Sequence, residues 1–197
     1  MRAAGITVRP IRQINGDEEF NEVFFDQVRV PADQIVGGLG QGWRIAMTTV
    51  SYERGPADVG FSSRYGAAIR QLAAAAAAQS GSAAQPEPGT QATRRALARA
   101  YVHTEGLRLH VLRSLSHRSA DGPPGPESSV DKLLSTRTEQ LLHQVAMDVH
   151  GAAPLLGERG EVLFDYLYSR AASIAGGTSQ IQRSIVAERL LGLPRAR

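Results

Sequence analysis

From Trp43 onward, apolar residues return every three or four positions, and over most of the chain that period fits only the α-helix. Trp43, Met47 and Val50, then Phe61, Tyr65, Ile69 and Leu72, lead into the helix-favouring run Ala73 to Ala78. Pro56 falls inside this stretch and either kinks it or starts a new helix. A second helix fits Thr90 to Arg118, on Leu97, Tyr101, Leu107, Val111, Leu112 and Leu115. A third runs from about Ser128 to His150 on Leu133, Leu134, Leu141, Leu142 and Val145, a fourth from Gly160 to Ala172, and a fifth from Thr178 to Leu191, closed by Gly192 and Pro194. Ser80 to Gly89 reads as a linker and Asp121 to Pro126 as a break. Long amphipathic helices with short links imply an antiparallel bundle.

The first 40 residues follow a different pattern. Ile6 to Arg9 and Val23 to Val30 are β-branched or aromatic runs, bounded by Gly5, by Asn15-Gly16-Asp17 and by Pro31. Two strands alone are marginal in water, so the pair is expected to edge a larger sheet or lean on the helices. The expected fold class is all-α, an antiparallel helical bundle with a short N-terminal strand pair, divided into residues 1–39 and 40–197.

Of the 197 residues 42% are hydrophobic and none is cysteine, so apolar burial must hold the core, and thiolate metal sites and cysteine nucleophiles are excluded. The longest apolar run is Leu72 to Ala78, and no apolar segment follows Met1-Arg2, which reads as a soluble, cytoplasmic chain with no membrane partner. Twenty-one scattered arginines and one lysine, Lys132, face 19 acids, and so even a balance argues against a nucleic-acid partner. His103, His110 and His117, like His143 and His150, are spaced seven apart, about 10.5 Å along a helix. They cannot share a metal ion, and no metal site is expected; a partly buried or interfacial stripe is the simpler reading.

Three segments carry a more specific signal. They are Phe20-Asn21-Glu22-Val23-Phe24-Phe25-Asp26-Gln27-Val28-Arg29-Val30-Pro31 with Gly40-Gln41-Gly42-Trp43; Tyr52-Glu53-Arg54-Gly55; and Gly177-Thr178-Ser179-Gln180-Ile181-Gln182-Arg183 continuing through Ala187 to Pro194. In this order they resemble the C-terminal part of an acyl-CoA dehydrogenase subunit, from end to end of the chain. The resemblance implies that residues 1–39 are the last strands of the family's middle β-domain and that the sequence covers half a subunit. It also implies FAD as cofactor, an acyl-CoA substrate, and self-association or pairing with a homologous subunit.

The implied chemistry removes two hydrogens from a thioester, so a general base must reach the α-carbon. In many members that base is a glutamate directly before Gly-Thr-Ser; here the position is Gly176, which cannot accept a proton. A smaller branch of the family takes the carboxylate from the first long helix, beside an arginine, and Glu53 with Arg54 matches that place. On their own, Glu53 and Arg54 read as solvated, since adjacent helical residues do not face one another. Gly177 implies close approach to the thioester, with Arg54 as a second substrate contact. Thr178, Ser179 and Gln180 are the implied FAD contacts, although Thr or Ser before a helix also serves as an ordinary cap.

Two positions depart from the family pattern. Asp148 lies near where a glutamine often reaches the neighbouring subunit's FAD, and no Phe-Gly follows Arg94-Arg95. These departures suggest a heteromeric enzyme, as in members acting on steroid-like acyl-CoAs. The other readings are a non-catalytic assembly module and an inactive truncated form.

Overall fold

A computed structural model describes residues 3–52, 56–79, 88–121 and 125–195. The chain divides into two compact units, Met1–Val50 and Ser51–Arg197. In the first, β1 (Ile6–Ile11) pairs antiparallel with β2 (Phe20–Phe25), from Ile6 opposite Phe25 to Ile11 opposite Phe20. The turn is closed by Gln13 N–H donating to Asp17 O at 2.8 Å. β2 stops five residues before the sequence suggests, because beyond the Ile6–Phe25 pair only Gly5 offers it a further bond. Asp26 N–H makes the last rung to Gly5 O at 2.8 Å, and Gln27, at φ 46°, turns the chain away. All but the last two residues of helix α1 (Gly42–Tyr52) belong to this unit.

The second unit is built from α2 (Pro56–Gln79), α3 (Pro88–Asp121), α4 (Ser128–His150), α5 (Gly160–Tyr168) and α6 (Ser179–Ile185). Pro56 is the first residue of α2, where its missing N–H costs nothing. Of the expected linker, 80–87 lie outside the described residues, and Pro88 and Gly89 already belong to α3. Helix α4 packs against α2, α3, α5 and α6, and ends at Gly151, whose φ of 60° suits a residue without Cβ. No described helix is long and apolar enough to cross a membrane.

The core follows heptad-like seams. The seam positions are Ser62, Tyr65, Ile69 and Leu72 on α2; Ala100, Thr104, Leu107, Val111 and Ser114 on α3; and Asp131, Ser135, Thr138, Leu142, Val145 and Val149 on α4, where Ser128, Ser129, Thr136 and Ala146 are buried beside them. This four-three alternation is the seam of closely packed helices. Tyr101 and Leu112, expected on the apolar stripe of α3, lie on the neighbouring face and are 54% and 46% exposed. Small polar residues hold the seam positions instead. They pair across it: Ser114 Oγ donates to Asp131 Oδ1 at 3.0 Å, and His110 Nε2 lies 3.3 Å from the same oxygen.

A second polar group lies between α2, α4 and α5. Burial, then the charge of Glu139, raises the Tyr65 hydroxyl well above its usual range. Burial likewise raises the Glu139 carboxyl, against the hydrogen bond from Tyr65 and the charges of Lys132 and Arg64. Burial lowers the His143 imidazole, with Asp165 opposing and Arg170 and Arg64 reinforcing.

Two outcomes are expected. Leu142→Ala or Leu107→Ala should destabilise the chain by ~2–5 kcal/mol in urea unfolding, and Leu112→Ala by less than ~1 kcal/mol. Equal effects would contradict the seam assignment. Below the ordinary histidine value of 6.5 the unfolded chain binds a proton that folded His143 resists, so this group's contribution to stability is lost as pH falls. His143→Gln should therefore shrink the loss of unfolding free energy between about pH 7.5 and 5.5. An unchanged pH dependence would remove His143 from the account.

Candidate functional site

Lys132, Thr136 and Gln140 are spaced four residues apart on α4 and so share one face. Each holds a backbone carbonyl of the segment after α5. Lys132 Nζ donates to Ala172 O and, at 3.0 Å, to Thr136 Oγ1; Thr136 Oγ1 donates to Ala172 O at 2.9 Å; Gln140 Nε2 donates to Ser169 O at 3.2 Å. These bonds explain why α5 ends at Tyr168 instead of running to Ala172 as its sequence suggests. The carbonyls of Ser169 and Ala172 turn toward α4, and Ala171–Ser173 forms a single 3-10 turn. Ser169, fully buried, donates its hydroxyl to Tyr166 O at 2.7 Å and accepts from Arg170 Nη2 at 2.8 Å.

From this anchored segment the chain enters Gly176 and Gly177, at φ 64° and 99°. Two successive left-handed residues reverse the backbone, which a side chain would resist by roughly 1–2 kcal/mol each. At Gly176 there is room, since a Cβ would meet only Lys132 Cε at 3.8 Å. Backbone conformation, more than space, is what disfavours a glutamate there.

Thr178 then caps α6, its Oγ1 accepting from Ile181 N–H at 3.3 Å. Such a cap contributes about 0.5–2 kcal/mol. It uses one lone pair of the hydroxyl, leaving the O–H free to donate elsewhere. The helical run expected over Thr178 to Leu191 changes character at Val186, where Leu191 N–H bonds Val186 O at 3.0 Å in a π-helical turn.

The structure thus brings Gly177, Thr178, Ser179 and Gln180 together as one turn over α4. Glu53 and Arg54 lie outside the described residues. Asp148 accepts from Gln144 Nε2 at 3.1 Å on the exposed face of α4. Among the described residues no group of three His, Asp or Glu is placed to hold a metal ion. The turn offers hydroxyl and backbone N–H donors, a set suited to oxygen acceptors such as carbonyls and phosphates.

Four residues of this arrangement were not identified as functional from sequence: Lys132, Thr136, Gln140 and Gln182. The first three have no signal beyond their four-residue spacing, because most of the remaining positions of α4 are polar too. Gln182 stood inside the quoted motif, with no partner to point to.

The family model described as Acyl-CoA dehydrogenase, C-terminal domain matches residues 40–191. Acyl-CoA dehydrogenase IpdE1 of Mycolicibacterium smegmatis is 41% identical over 97% of this chain, which spans 47% of that relative. The chain covers about half the length of the solved relatives too. The ChsE4-ChsE5 complex from Mycobacterium tuberculosis is 25% identical, with a TM-score of 0.79 over 99% of this chain and 52% of its own. A structure described as an FAD-dependent dehydrogenase is 25% identical, with a TM-score of 0.81 over 98% of this chain and 52% of its own. The helical bundle, its terminal Gly-Thr-Ser-Gln turn and these matches agree, and the chain belongs to the acyl-CoA dehydrogenase family, whose C-terminal domain it contains.

Proposed function

We propose that this chain is a component of an FAD-dependent acyl-CoA dehydrogenase that introduces an α,β double bond into an acyl-CoA thioester, within an assembly of like or homologous subunits. The observation that carries this reading is the turn at Gly177–Gln180, which keeps the family's motif and follows a segment whose Ala172 carbonyl is held by Lys132 and Thr136 of α4. Residues 1–39 belong on this reading to the middle domain and 40–197 to the C-terminal domain; the family model's match to residues 40–191 supports the second assignment.

FAD would supply the acceptor for the β-hydrogen and its electron pair. The donors of the turn fit such a group: Thr178, with its O–H still available, and Ser179 and Gln180 would hold its oxygens, and Gly177 would lie against the thioester. Glu53 takes the α-proton, and Arg54 holds the carboxylate or the substrate in place. Assigning the base to Glu53 rests on the motif Tyr52-Glu53-Arg54-Gly55, and is supported by Gly176, which has neither a carboxylate nor a backbone suited to one. The pairing in the ChsE4-ChsE5 complex supports a homologous partner subunit. Gly176 also supports a second reading, in which the chain is a non-catalytic assembly module and the base comes from the partner.

Glu53→Gln separates the two. In the assembled, flavin-bound enzyme it should slow flavin reduction by acyl-CoA ~10²- to 10⁴-fold, with FAD content unchanged, because the amide keeps the shape but accepts no proton. Reduction at the wild-type rate, followed by stopped-flow absorbance, would leave the chain as the module.

A further inference from the structure

Gln182 is fully buried, yet the function proposed above gives it no task. Its side-chain Nε2 donates to Gly176 O at 3.0 Å and to Gly177 O at 3.4 Å. Both amide hydrogens are therefore spent on two consecutive carbonyls. The reverse orientation of the amide would set Oε1 against both carbonyl oxygens, so the assignment of nitrogen and oxygen is fixed by charge. Its own backbone N–H bonds Thr178 O at 2.9 Å, which brings the side chain back under the turn that precedes its helix.

The consequence lies on the opposite side of those peptides. In a planar trans peptide, the C=O of one residue and the N–H of the next point in opposite directions. No described peptide bond is cis. With the carbonyls of Gly176 and Gly177 drawn inward by Gln182, the N–H groups of Gly177 and Thr178 point outward, side by side. Among the described residues neither donates to another backbone group. Adjacent backbone N–H groups turned the same way form a concave donor pair for an oxygen that carries negative charge.

We propose that Gln182 is a positioning residue, whose amide turns the N–H groups of Gly177 and Thr178 outward as a donor pair for an acceptor oxygen of the bound ligand. The proposal rests on the acyl-CoA reading for the identity of that ligand. The oxygen belongs either to an acyl thioester or to FAD, and the two share this chemistry. Lys132 and Thr136 hold the other end of the loop at Ala172, so the turn is fixed on both sides and Gln182 sets its orientation.

The test uses the full chain labelled with ¹⁵N. In Gln182→Leu the amide signals of Gly177 and Thr178 should shift and exchange faster with solvent, while those of Leu107 and Leu142 stay as in wild type. Gln182→Glu keeps the shape but carries a donor only when protonated. Its Gly177 and Thr178 signals should return toward the wild-type positions on acidification, a reversal that loss of packing alone would not produce. If Gln182→Leu unfolds the bundle, the acid recovery of Gln182→Glu still decides.

The ligand arms use octanoyl-CoA and FAD separately, each added to the chain co-expressed with a homologous subunit. The two amides should shift with one of them, and that ligand's dissociation constant should rise about tenfold or more in Gln182→Leu. Unchanged Gly177 and Thr178 amides in both variants would overturn the proposal, as would absence of recovery in Gln182→Glu. Variants that reorient the turn without weakening either ligand would overturn its role toward the ligand. Amides that respond to the substitutions while wild type binds neither ligand would contradict the acyl-CoA reading and leave the clamp standing.

Discussion

The C-terminal end of the bundle depends on one row of hydrogen bonds, those from Lys132, Thr136 and Gln140 of α4 to the carbonyls of Ala172 and Ser169. A hydrogen bond from a charged donor typically contributes about 1.5–3 kcal/mol, against about 1 for a neutral one, so Lys132 is the strongest member of the row. Without these bonds the carbonyls after Tyr168 would satisfy themselves by continuing α5, and the reversal at Gly176 and Gly177 would begin elsewhere. The row converts an ordinary helix end into a fixed launching point for the Gly-Thr-Ser-Gln turn. That Lys132 is the sole lysine in a chain of 21 arginines is consistent with its place. A flexible stem with a compact ammonium can end on one carbonyl, whereas a planar guanidinium needs room for its fork.

Polar groups inside the bundle have a second effect. The α3–α4 seam contains Asp131, Ser114, Thr104 and Thr138, and the α2–α4 contact contains Tyr65, Ser135 and Glu139. Satisfied polar contacts such as Ser114 to Asp131 add little net stability, but a slip in register would leave a buried carboxylate unpaired. The apolar half of α4, at Leu142, Val145 and Val149, supplies adhesion, and the polar half fixes which residues meet.

The sequence made the helices legible because their period was sustained: Ser128–His150 was expected and is found to the residue. It misplaced residues where polarity and burial part company. Counting apolar positions put Tyr101 and Leu112 on the α3 stripe, because Ala100, Thr104 and Ser114, which hold the seam, carry little or no apolar signal. The end of α5 was hidden for a related reason, since it is decided by side chains about 30 to 40 residues earlier on α4. Strand β2 was drawn too long because its β-branched run continues through Val28 and Val30 after its partner has ended. At the site, the Gly177–Gln180 turn was legible from its motif, whereas the residues that hold it depend on contacts no local pattern encodes. Glu53 and Arg54 rest on the motif alone.

Hydrogen–deuterium exchange of residues 169–177 in the Lys132→Met, Thr136→Val double variant tests most directly whether the α4 row positions this turn. The account predicts that this segment exchanges faster, by at least about tenfold, while the seam residues of α2 and α3 keep their protection. Unchanged exchange across 169–177, or an equal loss across the whole bundle, would contradict it.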